Sequence, residues 1–349
     1  MKIVLISLLL FLFHSSALSA VILQYHHVSE TTPKSTSIIP AQFEAHLKYL
    51  KTHNFDVVPL SYIIEKAKNK VKVQDKTVAI TFDDAYINIL THAKPILDKY
   101  NYPYTIFVNP GVINRNLPSN LSWDQLNSLA EEGVIIANHG LEHDSVIRIT
   151  DNYSKAQWRA KHTKMLLEAE DIIKEKTGQS WRYYSYPYGE YGPLTQKWLK
   201  DNNFIGFTQQ SGAIGLHTDL TSVPRFPASM PYDELTDLKD KLTSLPFNIS
   251  LQGNATETVF EYKQTSSITF NIEVDDFVKA DLNCYISGLG KQVIQWQGDN
   301  QFSIQFSDNL PIGRVRCNCT APSISKPGQH YWYSKPWFIL KKEGEWYAL

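Results

Sequence analysis

The sequence predicts an α/β domain built on a parallel sheet or barrel wrapped by helices, followed by a smaller all-β domain. From Val21 to about Thr208, short apolar runs alternate with helical patterns, the βαβα order that produces a parallel sheet. After about Leu245 the helical period disappears, and runs such as SITFNIEV, LNCYISG and QFSIQFS alternate apolar and polar residues between turns, as in a β-sandwich of about a hundred residues. The length of 349 residues fits two domains at ~150 residues each. The expected division is residues 1–20, 21–244 and 245–349.

VILQYHHV reads as the first strand. Phe43, Leu47 and Leu50 recur at helical spacing across Pro40 to Thr52, and Phe55 to Val58 is a second strand. Thr77 to Phe82, Tyr104 to Val108 and Val134 to Ala137 follow as strands, with helices over Ile87 to Tyr100 and Trp123 to Glu132. Ser122 precedes the second of these helices as its N-cap. A long helix from about Ala156 to Lys176 stops at Gly178. Tyr183 to Tyr186, a helix near Pro193 to Asp201, and Phe204 to Thr208 complete the alternation.

Residues 1–20 pair one cation, Lys2, with an apolar run from Ile3 to Phe13 and then small residues up to Ala20. This is the pattern of a signal peptide, and the run is too short for a bilayer core, which needs about twenty residues. The expectation is an exported protein, periplasmic or extracellular, whose mature chain starts close to Val21 and has no transmembrane segment. Lys plus Arg number 34 against 35 for Asp plus Glu, so no basic field recruits a nucleic acid. Cys284, Cys317 and Cys319 allow one bridge and leave one thiol over, with the pairing open. Trp296, Trp332, Trp337 and Trp346 gather in the last third, where they serve either sugar stacking or core and inter-domain packing.

Three segments follow predicted strands, at the ends where α/β enzymes keep their chemistry. TFDDAY sets Asp83 and Asp84 side by side. One strand-end Asp can be a helix N-cap, but two adjacent acids repel unless a cation or proton is shared. NHGLEH sets His139 and His143 four apart, and in a helix both imidazoles would leave one face about a turn apart. Two His and one Asp make a three-ligand set with a position left for water, the pattern of a catalytic zinc. YSYPYGEYG places a Pro-Tyr-Gly turn at a third strand end, where it reads either as half of an oxyanion hole or as an ordinary turn.

TFDD, then His-x-x-x-His, then Pro-Tyr-Gly in this order resembles the NodB-homology polysaccharide deacetylases of carbohydrate esterase family 4, over roughly Val21 to Met230. The resemblance implies a distorted (β/α) barrel that removes acetyl groups from N-acetylated sugars with a divalent metal, most often zinc. By position it makes Asp83 the general base, Asp84, His139 and His143 the metal ligands, and Tyr188 the residue whose backbone N–H holds the oxyanion. The expected partner is a polysaccharide or oligosaccharide substrate.

Several positions depart from the family pattern. Gly140 stands where a Ser or Thr usually follows the first metal His. Ser185 replaces an Arg that normally braces the base, and Arg225 in VPRFP is the candidate substitute. The late Leu-x-His segment is not clear, although Leu216-His217 sits near its place. The opening Tyr25-His26-His27-Val28 is similar to the circularly rearranged branch that includes poly-N-acetylglucosamine deacetylases, which makes His26 the expected acid. His27 and His217 are the other candidates, and His26 and His27, adjacent on a strand, should point to opposite faces. Two rival readings remain: a hydrolase of another amide on the same barrel, and a sugar-binding protein with an inactive barrel.

Overall fold

The computed structural model describes residues 19–150, 152–251, 253–263, 267–274, 276–305 and 310–349. Most of the expected signal peptide lies outside them. Of that segment Ser19 and Ala20 are described, and both are buried. Ser19 Oγ donates to Ser244 O at 2.8 Å, and Ala20 pairs with Thr77 and with Ile214.

Eight parallel strands form the first sheet. They are β1 (Ala20–Tyr25), β2 (Asp56–Val57), β3 (Thr77–Asp83), β4 (Thr105–Val108), β5 (Ile135–Asn138), β6 (Tyr183–Ser185), β7 (Ile205–Phe207) and β8 (Phe226–Pro227). Their order is β8-β1-β3-β4-β5-β6-β7, with β2 also paired to β3. Phe226 pairs with Leu23 while Val223 pairs with Phe207, so residues 223–227 bridge the two ends of the sheet and curl it into a half-barrel. Every residue of β1 and β3 is buried, as expected when helices cover the sheet.

Strand alternation sorts these residues. Val21, Leu23, Tyr25, Val78, Ile80 and Phe82 join one core cluster with Phe43 and Leu47 of α1 (Pro40–Thr52). Ala20, Ile22 and Ala79 join another with Leu60, Ile63 and Ile64 of α2 (Leu60–Lys68), a helix the sequence reading passed over. Gln24, Thr81 and Asp83 therefore continue the second face. The capping box at Ser122 is present, its side chain bonding Gln125 N while Gln125 returns to Ser122 N. The long helix Lys155–Thr177 ends at Gly178 with φ 72°, a left-handed stop suited to glycine.

Past Leu245 the strands fall into two groups. One sheet is led by the ten-residue antiparallel pair Gly313–Pro322 and His330–Ile339, and the other joins Ile249–Ser250, Ser267–Ile272, Ile294–Trp296 and Gln301–Gln305. One apolar cluster takes residues from both, including Phe270, Phe302, Cys317 and Trp337. Cys284 and Cys319, directly opposed across two strands, form the disulfide, and Cys317 is a buried free thiol. Trp337 is core and Trp332 packs edge-on against Phe226 of β8. Trp346 lies under the Arg148 guanidinium. Among the described residues no helix is long and apolar enough to cross a membrane.

Candidate active site

The polar groups meet at the C-terminal edge of the curled sheet. Asp83 ends β3, has no exposed surface, and is held by donors from three other strands or their flanks. Arg225, also fully buried, grips it two-fold, Nη1 to Oδ1 and Nη2 to Oδ2, each at 2.8 Å. Gln24 Nε2 donates to Oδ2 at 2.7 Å, and Ser185 Oγ lies 3.3 Å from the same oxygen. Burial alone would raise the Asp83 pKa, but the Arg225 charge overrides it and holds the carboxyl well below its usual range.

Arg225 is fixed in turn. Its Nε donates to Thr208 O at 3.0 Å and its Nη2 to Ser185 Oγ at 2.8 Å. The small Ser185 leaves the space that the Arg225 guanidinium, from just ahead of β8, fills.

The next residue faces a different environment. Asp84 and Ala85 both have positive φ, 73° and 51°, a left-handed pair that L side chains adopt at a cost. The turn swings Asp84 away from the Asp83 pocket, and its Oδ1 comes within 3.3 Å of His139 Nε2 and 3.4 Å of His143 Nε2. The ligand atoms of these three residues all lie within 4.8 Å of one another.

His139 and His143 do not meet as a helix pair. The segment after β5 is irregular, with Gly140 at φ 83° and His143 at φ 61°, so a folded loop brings the two rings to 4.8 Å between centroids. Asn109 Nδ2 donates to His139 O, and Asn138 Oδ1 accepts from Gly140 N at 2.8 Å. These bonds hold the loop at the position where the family's hydroxyl residue is absent.

His139 Nδ1 bonds Ser185 O at 2.8 Å, which directs Nε2 toward Asp84 and His143. That Nε2 is buried and has no hydrogen-bond partner. An orphaned imidazole nitrogen facing a carboxylate and a second imidazole fits a divalent cation, since the three groups supply the N and O donors such an ion takes.

Alternation along β1 carries His26 to the side of Gln24, and its Nε2 stands 4.0 Å from Asp83 Oδ2. His27 turns away, with Nδ1 bonding Asn88 at 2.8 Å and its ring stacked on Tyr86 at 3.6 Å. Exposed His217 lies on the loop after Ile214, the residue paired with Ala20 at the opposite end of β1. The site thus gathers Asp83, Asp84, His139, His143, His26 and Arg225, and leaves out His27 and His217.

Tyr188 sits in the turn Pro187–Gly189 at φ 59°, with its ring 4.5 Å from that of His143. The turn's own bonds use Gly189 N and Glu190 N, so the Tyr188 N–H stays out of them. Glu190 behind the turn is buried and accepts from Ser145, Arg148 and the Tyr347 hydroxyl. Sequence reading missed Gln24, Asn109 and Glu190. Gln24 alone carried a signal, a polar residue within the apolar strand VILQY.

A curled parallel sheet with carboxylates and imidazoles converging after its strands belongs to the α/β barrels that build their sites on strand-end loops. Residues 70–207 match the family model for polysaccharide deacetylase, and the chain carries a polysaccharide deacetylase domain of the NodB type. The poly-beta-1,6-N-acetyl-D-glucosamine N-deacetylase of Staphylococcus epidermidis is 28% identical over 235 residues, 60% of this chain and 79% of that one. Its Staphylococcus aureus counterpart is 29% identical over 191 residues, 49% of this chain and 65% of the other. This chain therefore spans a little under two thirds of that relative. Among solved structures, IcaB from Ammonifex degensii superposes with a TM-score of 0.57 at 23% identity, covering 65% of this chain and 97% of that one. The Streptococcus pyogenes deacetylase PplD gives 0.58 at 21%, covering 65% and 99%. These structures share the fold of the first domain.

Proposed function

We propose that this protein is an exported, metal-dependent N-deacetylase of N-acetylated amino-sugar polymers, with poly-β-1,6-N-acetylglucosamine as its reference substrate. The observation that carries the proposal is the pairing of a caged, ionised Asp83 with an orphaned His139 Nε2 facing Asp84 and His143. Asp84, His139 and His143 would hold a divalent cation, zinc foremost. When bound, such an ion supplies Lewis acidity toward the acetamide carbonyl and toward water.

The chain's own groups account for the remaining chemistry. Asp83 stays ionised and takes the proton of the attacking water. A carboxylate so heavily hydrogen-bonded is a weak base, so it gives the proton up readily. His26, 4.0 Å away, takes it to the nitrogen of the leaving amine. The Tyr188 N–H stabilises the developing oxyanion. Arg225, Gln24 and Ser185 keep Asp83 aimed. In this reading residues 1–20 direct export, and residues 245–349 form a β-sandwich accessory domain. Acetate release from poly-β-1,6-N-acetylglucosamine, chitin oligomers and peptidoglycan tests the proposal. Release from at least one, lost on chelation, supports it, whereas no release from any overturns it.

A further inference from the structure

We propose that the cleft next to Tyr188 is a subsite for an anionic substituent of the glycan, a carboxylate or a phosphate. The inference deepens the deacetylase reading and rests on it for the identity of the polymer. The cleft has a volume of about 350 Å³ and is lined by Tyr188, Ser287, Arg314, Arg316, Tyr347 and the last two residues, Ala348 and Leu349. Because the Tyr188 ring touches His143 on one side and the cleft on the other, a sugar in the cleft lies along the chain from one at the metal cradle.

Arg314 and Arg316 are two apart on the strand Gly313–Pro322, whose Val315, Cys317 and Cys319 are buried in the core behind them. Both guanidinium groups therefore leave from the same outer face. Arg314 Nε is buried without a hydrogen-bond partner. Burial and the charge of Arg314 both work against the Arg316 guanidinium, while the Tyr232 hydroxyl accepts a hydrogen bond from it.

The buried Glu190 behind the turn is already committed: it accepts from Arg148, Ser145 and Tyr347. Elsewhere in the molecule a buried arginine comes with its acid, as Arg225 does with Asp83 and Arg148 with Glu190. Among the described residues neither guanidinium forms an ion pair with an acidic side chain, and two half-buried guanidinium groups so placed favour an oxyanion, which arginine binds in a two-fold planar geometry. The same charges repel a free ammonium, so a unit that has already lost its acetyl group is disfavoured there. The substrate class that results is an acetamido sugar next to an acidic or phosphorylated one.

The test uses the full chain and three probes of similar length: a neutral chitin hexamer, a hyaluronan hexamer carrying carboxylates, and an N-acetylglucosamine oligomer linked through phosphate. Affinity is measured by calorimetry at low and high salt, and acetate release is followed in parallel. We expect at least one anionic oligomer to bind tenfold or more tightly than the neutral one at low salt. That ratio should fall to within about twofold in Arg314→Gln/Arg316→Gln and recover in part in Arg314→Lys/Arg316→Lys, with melting curves reporting the folding of each variant. Which oligomer is preferred separates carboxylate from phosphate. Equal affinities, or a preference that survives the double glutamine change, overturn the subsite. Anion preference without acetate release from any probe leaves the subsite standing, and the deacetylase reading is overturned instead if poly-β-1,6-N-acetylglucosamine and peptidoglycan also release none.

Discussion

Asp83 and Asp84 are neighbours of the same type, yet their surroundings are opposite. Asp83 is enclosed by Arg225, Gln24 and Ser185, and the protein itself answers its charge. Asp84 looks across 3.3–3.4 Å at two imidazole nitrogens, one of them buried and making no regular hydrogen bond. In the proposed reading the saturated carboxylate serves orientation and proton transfer, while the unsaturated cluster of donors would be completed by a cation. The left-handed turn at Asp84 and Ala85 separates the two regions.

Metal removal tests the open side of this comparison and carries the largest expected effect. Chelation should reduce acetate release to the uncatalysed level and zinc should restore it, while His139→Ala should bind less zinc by elemental analysis. Full activity in metal-free protein would break the comparison. On the closed side, Asp83→Asn should keep its zinc and lose about 10²–10⁴ in kcat, whereas Asp84→Asn should lose zinc as well. Equal metal content and equal rates in the two variants would show that the neighbours share one role.

A smaller effect separates the histidines. His26→Asn should retain metal and lose about 10² in kcat, and His217→Ala should stay within about tenfold of wild type. The reverse order would move the acid to the opposite end of the sheet. The last prediction concerns stability. Arg225→Met strands a buried carboxylate and should cost about 3–5 kcal/mol in urea unfolding, while the double change Asp83→Asn/Arg225→Met should cost clearly less, because removing a buried pair together leaves no orphan charge. Additive losses would mean that the pair does not act as a unit.

Much of this site was legible because strand-end motifs are local. The strands around TFDD, NHG and PYG were readable from apolar runs, and their loops had to emerge on one edge of a parallel sheet. The helical geometry assumed for His139 and His143 was not, because a loop with Gly140 and His143 at positive φ reaches the same proximity without a helical period. Arg225 was reachable only as a substitute for an absence at Ser185. Its grip on Asp83 spans 142 positions, and nothing in local sequence encodes a contact of that range.

By itself the sequence determined most of the order of strands and helices, the change of pattern near Leu245, the residue types available as ligands, and that His26 and His27 leave opposite faces of one strand. These follow from local periodicity and chain chemistry. Tertiary structure decided the rest: which cysteines pair, how Arg225 comes to grip Asp83, and how Arg314 and Arg316 come to wall a cleft beside Tyr188. Each of these depends on sheet register and on the packing of distant segments, and such contacts form only once the apolar faces of both sheets are buried.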